Sequence, residues 1–239
     1  SIFLISIGIE TLCMLYSKFA YQNIEEKKQK CLTYGILVSN AGFLGNPVAE
    51  GIFVPVGLML ASVYLIPVRV IMWSKGIAIF SGESDRRETA RKVITHPCVL
   101  ACLTGIVIML AELFAGISLV PEWIFSMLQT IGRCNTALSM MVIGMILSDI
   151  DPSQLVDFTV IRFTIERLLI VPAMIGLILL ALNRCGLVKD LPLRLSVLLA
   201  AMPAAATTSM LSSKYDCAPD FGTKMVIMST LCSIPTIFM

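Results

Sequence analysis

Long stretches of this chain carry no formal charge, and that restricts its fold more than any motif does. Residues 31–49, 51–68, 93–111 and 195–213 contain no Asp, Glu, Lys or Arg, and slightly shorter clear runs occupy 134–148, 168–183 and 225–239. About 20 apolar residues cross the hydrocarbon core of a bilayer as a helix. In lipid the backbone must satisfy its own hydrogen bonds, so only helices or closed barrels span it. The runs are continuous rather than alternating, which selects helices. The rest of the composition agrees: 57% hydrophobic against 14% charged residues and a mean hydropathy of +0.88 lie far from soluble usage.

The expected fold class is an all-α polytopic membrane protein. Spans are expected over roughly 1–21, 31–50, 56–80, 96–114, 123–147, 158–182, 193–213 and 221–239. A net charge of +2 gives no footing for nucleic acid. The eight cysteines form no C-x-x-C pair, and Cys98 and Cys102 sit one turn apart in an apolar run as packing residues. The sequence contains neither a Gly-rich phosphate loop nor a G-x-S-x-G elbow, so no hydrolytic or ATP-driven chemistry is expected. No cofactor and no metal is expected. The expected partners are the lipid bilayer and a small organic anion, with a homodimer left open.

Basic residues set the orientation. Loops on one face, with their flanks, hold Lys18, Lys27, Lys28, Lys30, Lys75, Arg86, Arg87, Arg91, Lys92, Arg162, Lys214 and Lys224, whereas the other holds Arg184, Lys189 and Arg194. The first face is therefore expected in the cytoplasm, which puts the connections at 46–54 and 115–122 outside. The polar segment 81–95 is a cytoplasmic linker between a unit at 1–80 and a unit at 96–239. Within the second unit, 96–147 read as scaffold helices and 158–239 as transport helices.

Two spans carry an interruption. One contains SNAGFLGNPVAEG, with Asn40, Gly42, Asn46 and Pro47; the other contains AAMPAAATTSMLSS, with Pro203, Ala204 and Thr207. Proline lacks an N–H and suits the first position of a new helix. Each span is therefore expected to break at its proline into two half-helices, with Asn46 either capping the second half of its span or contacting a bound ligand. The alternative is a tolerated kink. Free N–H groups and a positive dipole end at such a break suit a carboxylate. Pro203 follows Phe158 by 45 residues and Pro47 follows Ile2 by the same 45. The two triplets of spans begin on opposite faces, which is the pattern of an inverted repeat. Symmetry then asks for two further helices before Ser1, ten in the intact protein.

NAGFLGNP, YLIPVRVIMWSKG, HPCVLACLTG and the closing MPAAATTSMLSSKYDCAPDFGTKMVIMSTLCSIPT resemble the auxin efflux carrier family in its bacterial permease branch, malate- or malonate-permease-like, apparently without its first two helices. The resemblance covers nearly the whole chain. It implies two five-helix inverted repeats whose broken helices cross and hold an organic anion at midplane, exposed alternately to each side of the cytoplasmic membrane. By that resemblance Asn40, Gly42 and Pro47 fall on the first crossover and Pro203 on the second.

Individual residues keep two readings each. Asn40 either donates to a carboxylate or joins two helices. Thr207, Thr208 and Ser209 either line the cavity or bond back to their helix. Glu10, near the middle of the first span, suits proton carriage or gating, or pairing with a neighbouring helix. Arg133 and Asn135 share that ambiguity. Arg162, Glu166 and Arg167 read as an i,i+4 ion pair with snorkelling. His96 is expected at the membrane border, and Asp149, Asp151 and Asp157 as solvated loop acids. A ligand-sensing membrane module that binds without translocating is the rival function.

Overall fold

The computed structural model describes residues 2–81, 95, 97–116, 120–148 and 157–237. These residues are helical throughout, apart from short connections and one isolated antiparallel bridge. In chain order the helices are α1 (Ile2–Ala20), α2 (Glu26–Leu37), α3 (Asn46–Ser81), α4 (Pro97–Ala115), α5 (Glu122–Ser148), α6 (Phe158–Arg184), α7 (Asp190–Ala200), α8 (Thr207–Lys214) and α9 (Pro219–Ile237). Among the described residues Ile2–Ala20, Val56–Ser81 and Phe158–Arg184 are long and apolar enough to cross a membrane. The protein is thus an all-α, multi-pass membrane protein.

Two helices carry a π turn, and each precedes a proline. Ala41–Gly45 leads into Asn46–Pro47, and Glu166–Ile170 leads into Val171–Pro172. A proline inside a helix leaves one carbonyl without its donor. A π turn shifts the bonding by one residue just ahead of it, as where the Asn46 N–H reaches the Ala41 carbonyl.

α3 is one helical run but not one rod. A Cβ placed on Gly57 would lie 2.6 Å from the carbonyl oxygen of Ala49. Eight residues of straight helix span about 12 Å, so the axis turns hard between them. The turn lies where the sequence reading expects a connection between two spans.

Packing is densest where α1, α2, α3, α6, α7 and α9 meet, with Tyr21, Tyr34, Tyr64, Phe163, Leu195 and Met225 fully enclosed. Small hydroxyl residues permit the close approach. Ser229 and Ser233 bond back to their own helix, and Ser6 reaches the Tyr64 carbonyl at 2.7 Å. Phe114, Trp123 and Ile131 on α4 and α5 stay exposed, which is favourable where the surroundings are lipid tails.

One end of the bundle collects the basic residues. Lys27 lies 4.0 Å from Asp216, Lys75 Nζ approaches Met14 Sδ at 2.9 Å, and Arg162 donates to the Ala20 carbonyl at 3.2 Å. These contacts bring together the end of α1, the start of α2, the end of α3, the start of α6 and the α8–α9 turn.

Candidate substrate site at the helix crossover

Two short helices stop inside the bundle. α2 has 12 residues and α7 has 11, about 18 and 16 Å of helix, which is half a bilayer each. Past their ends the chain runs extended, and the two extended segments cross. Ser39 and Ala204 form the antiparallel bridge. The Asn40 N–H donates to the Pro203 carbonyl at 2.8 Å, and the Ala205 N–H donates to the Val38 carbonyl at 3.1 Å. Backbone groups freed at each break are thereby satisfied by the other. Ser229 adds a hydroxyl acceptor for the Ala204 N–H at 3.2 Å.

The positions of the breaks differ from the expectation. The first lies at residues 38–40, before the π turn, and Pro47 stands within the helix that follows. Asn46 has helical backbone angles and does not cap; its buried Oδ1 has no partner among the described residues. Pro203 stands inside its break, but the helix after it begins only at Thr207. The structural partners are therefore Ser39 and Ala204, and the equal 45-residue spacing of Pro47 and Pro203 does not mark equivalent positions. The reason is physical: interstrand backbone bonds hold a break open, whereas a proline can be absorbed by a π turn.

Arg167 is the residue that the sequence reading misplaced. It is 2% exposed, far from the surface that snorkelling would reach. The π turn in α6 carries it, and its side chain enters the crossover. Nε donates to the Met202 carbonyl at 3.1 Å and Nη1 to the Ile36 carbonyl at 3.0 Å. One planar guanidinium thus holds the C-terminal ends of both half-helices, where the dipoles favour a cation. The Arg162–Glu166 pair is present at 2.7 Å, and Tyr21 donates its hydroxyl to the same carboxylate.

On another side of the crossover lies a cavity of about 570 Å³. Ser39, Asn40 and Gly42 line it from the first break, and Ala205, Ala206 and Thr207 from the second. Its remaining wall includes Phe43, Leu65, Met72 and Trp73, with Ala101 and Gly105 from α4 and the cationic Arg69 from α3. Thr207 Oγ1 accepts from the Tyr34 hydroxyl at 2.9 Å. The starts of the second half-helices therefore border a mostly apolar space with a guanidinium, an amide and a hydroxyl in its lining.

Of the residues singled out from sequence, Asn40, Gly42 and Thr207 come together on this cavity. Pro203 and Ala204 form the bridge beside it. Asn46 and Pro47 are not among its lining residues, and Glu10 lies apart from it, buried on α1 and facing Arg167. Thr208 is fully buried, and the Ser209 hydroxyl lies 2.6 Å from that of Thr223. The side chains of Arg133 and Asn135, all of His96, Asp149 and Asp151, and most of the 81–95 linker fall outside the described residues. Arg69, Trp73 and Tyr34 were not singled out. The signal for Arg69 was a cation embedded in PVRVIMW, inside a span.

Known proteins point the same way. A protein from Methanothermobacter thermautotrophicus described as an uncharacterized transporter is 27% identical over 224 residues, 89% of this chain and 67% of that protein. Residues 86–239 match the family described as Membrane transport protein, an auxin-efflux-carrier-like group. With well over half its length matched, the chain belongs to the membrane transport protein family.

Proposed function

We propose that this protein is a secondary transporter of a small organic anion, and that the crossover cavity is its substrate site. The observation that carries the proposal is the meeting of both helix breaks on one cavity whose lining includes Asn40, Thr207 and Arg69. Half-helix N-termini and a guanidinium attract a carboxylate, while the Asn40 amide and Thr207 hydroxyl orient it. The apolar wall formed by Leu65, Met72 and Trp73 suits the body of a mono- or dicarboxylate such as malate, malonate or an auxin-like acid. Alternating access follows if the crossover moves as a unit against α4 and α5, the scaffold of this reading. In this reading the helices form two inverted repeats in the cytoplasmic membrane, the 81–95 linker lies inside the cell, and the protein is not an enzyme.

The test is uptake of radiolabelled malate and indole-3-acetate by the full-length protein in proteoliposomes. Asn40→Ala should weaken substrate binding by about 1–3 kcal/mol, the value of a hydrogen bond to a charge. Asn40→Asp should do worse, because it sets a negative charge against the anion, and Arg69→Gln should raise KM. Equal uptake by wild type and Asn40→Asp at matched protein levels would remove the assigned site.

A further inference from the structure

Glu10 is a buried acid that the substrate site leaves unused. It lies on α1 with 4% of its surface exposed, and its Oε2 has no hydrogen-bond partner among the described residues. The surrounding helices already enclose it, so it must be compensated from within. Among the described residues the titratable and charged groups that interact electrostatically with it are Arg167 on α6, Tyr64 on α3 and Cys13 one turn along α1 itself. α2 and α7 also pack against α1, and no charged group on either acts on Glu10. Among the described residues the full charge that acts on it is therefore the guanidinium that holds the Ile36 and Met202 carbonyls.

We propose that Glu10 is a proton-binding site of the transport cycle, and that its protonation sets the grip of Arg167 on the crossover. A proton from the aqueous phase adds to a carboxylate oxygen, forming an O–H bond and breaking none in the protein. With Glu10 neutral, Arg167 stays on the two carbonyls, as in this structure. With Glu10 ionised, its charge draws the same guanidinium toward α1 and away from carbonyls that carry only partial charge. The two half-helix ends then lose their shared donor, and the bridge between Ser39 and Ala204 loosens. The proton binds the bridged arrangement in preference, and that differential is what lets it bias a conformational equilibrium. By linkage, bridging is favoured at low pH and lost as pH rises through the titration of Glu10.

The inference deepens the transporter reading and rests on it for its purpose, but its test needs no substrate. Hydrogen exchange at the Asn40 and Ala205 amides, the donors of the bridge, is followed on the full-length protein in nanodiscs. The scan runs from about pH 4 to about pH 10, wide enough to bracket a carboxylate titration, with correction for intrinsic exchange chemistry. In the wild type, protection should fall with rising pH by up to about tenfold per unit, the slope of one proton. Glu10→Gln should stay protected and flat, and Glu10→Asp should keep the slope with a displaced midpoint. A flat wild-type profile, a slope that survives Glu10→Gln, or an unmoved midpoint in Glu10→Asp each overturns the proposal. A normal slope in a protein that takes up no carboxylate sinks the transport reading instead.

Discussion

The Asn40 N–H and the Pro203 carbonyl meet at 2.8 Å across 163 positions of sequence, and this bond marks where two helices are broken. Each extended segment is the other's hydrogen-bond partner. A change at one break is therefore felt at both.

The two prolines should behave differently. Pro47 lies beyond the π turn within a helix, so Pro47→Ala should leave the crossover intact, with stability shifted by no more than about 1 kcal/mol and uptake retained. Pro203→Ala adds a donor and frees φ inside the bridge, and should cost about 1–3 kcal/mol with a larger loss of uptake. Thermal unfolding and uptake on the same reconstituted samples compare them. Equal damage from both would show that Pro47 also holds a break.

Removing Arg167 should be among the most damaging single changes in the chain. Arg167→Met deletes both carbonyl bonds and leaves two buried acceptors unmatched, a loss of about 3–5 kcal/mol. Arg167→Lys retains the charge, but a point ammonium cannot fork to Ile36 and Met202 together, so an intermediate loss is expected. Thermal unfolding in detergent ranks them. A wild-type melting temperature in Arg167→Met would show that the crossover holds without its guanidinium.

Two glycines three residues apart give an internal control. A Cβ on Gly45 would stand 2.8 Å from Leu199 Cδ2 and 3.1 Å from Met202 Cγ, whereas one on Gly42 meets nothing within 4 Å. Gly45→Val should cost about 1–3 kcal/mol through overpacking between the crossing segments. Gly42→Ala should leave stability unchanged while narrowing the cavity that Gly42 lines. Melting temperatures separate the two, and a stable Gly45→Val would refute the close approach.

Much of this protein was legible in one dimension. Transfer into lipid depends on the local content of apolar and charged side chains, so uncharged runs such as 51–68 and 168–183 announce helical spans, and NAGFLGNP marks a helix that cannot run on unbroken. The same local chemistry brought Asn40, Gly42 and Thr207 into view.

What the tertiary structure alone decided is where the helices stop and what holds them there. A break is fixed by the partners of its backbone groups, and these lie far away in sequence. The Ile36 carbonyl finds Arg167 across 131 residues, and the Val38 carbonyl finds the Ala205 N–H only because two extended segments cross. Read locally, Arg167 was a cation beside Glu166, one pair among many, and Pro47 was the stronger sign of a break. Packing reversed both, because it buried the guanidinium against two helix ends and allowed a π turn to absorb the proline.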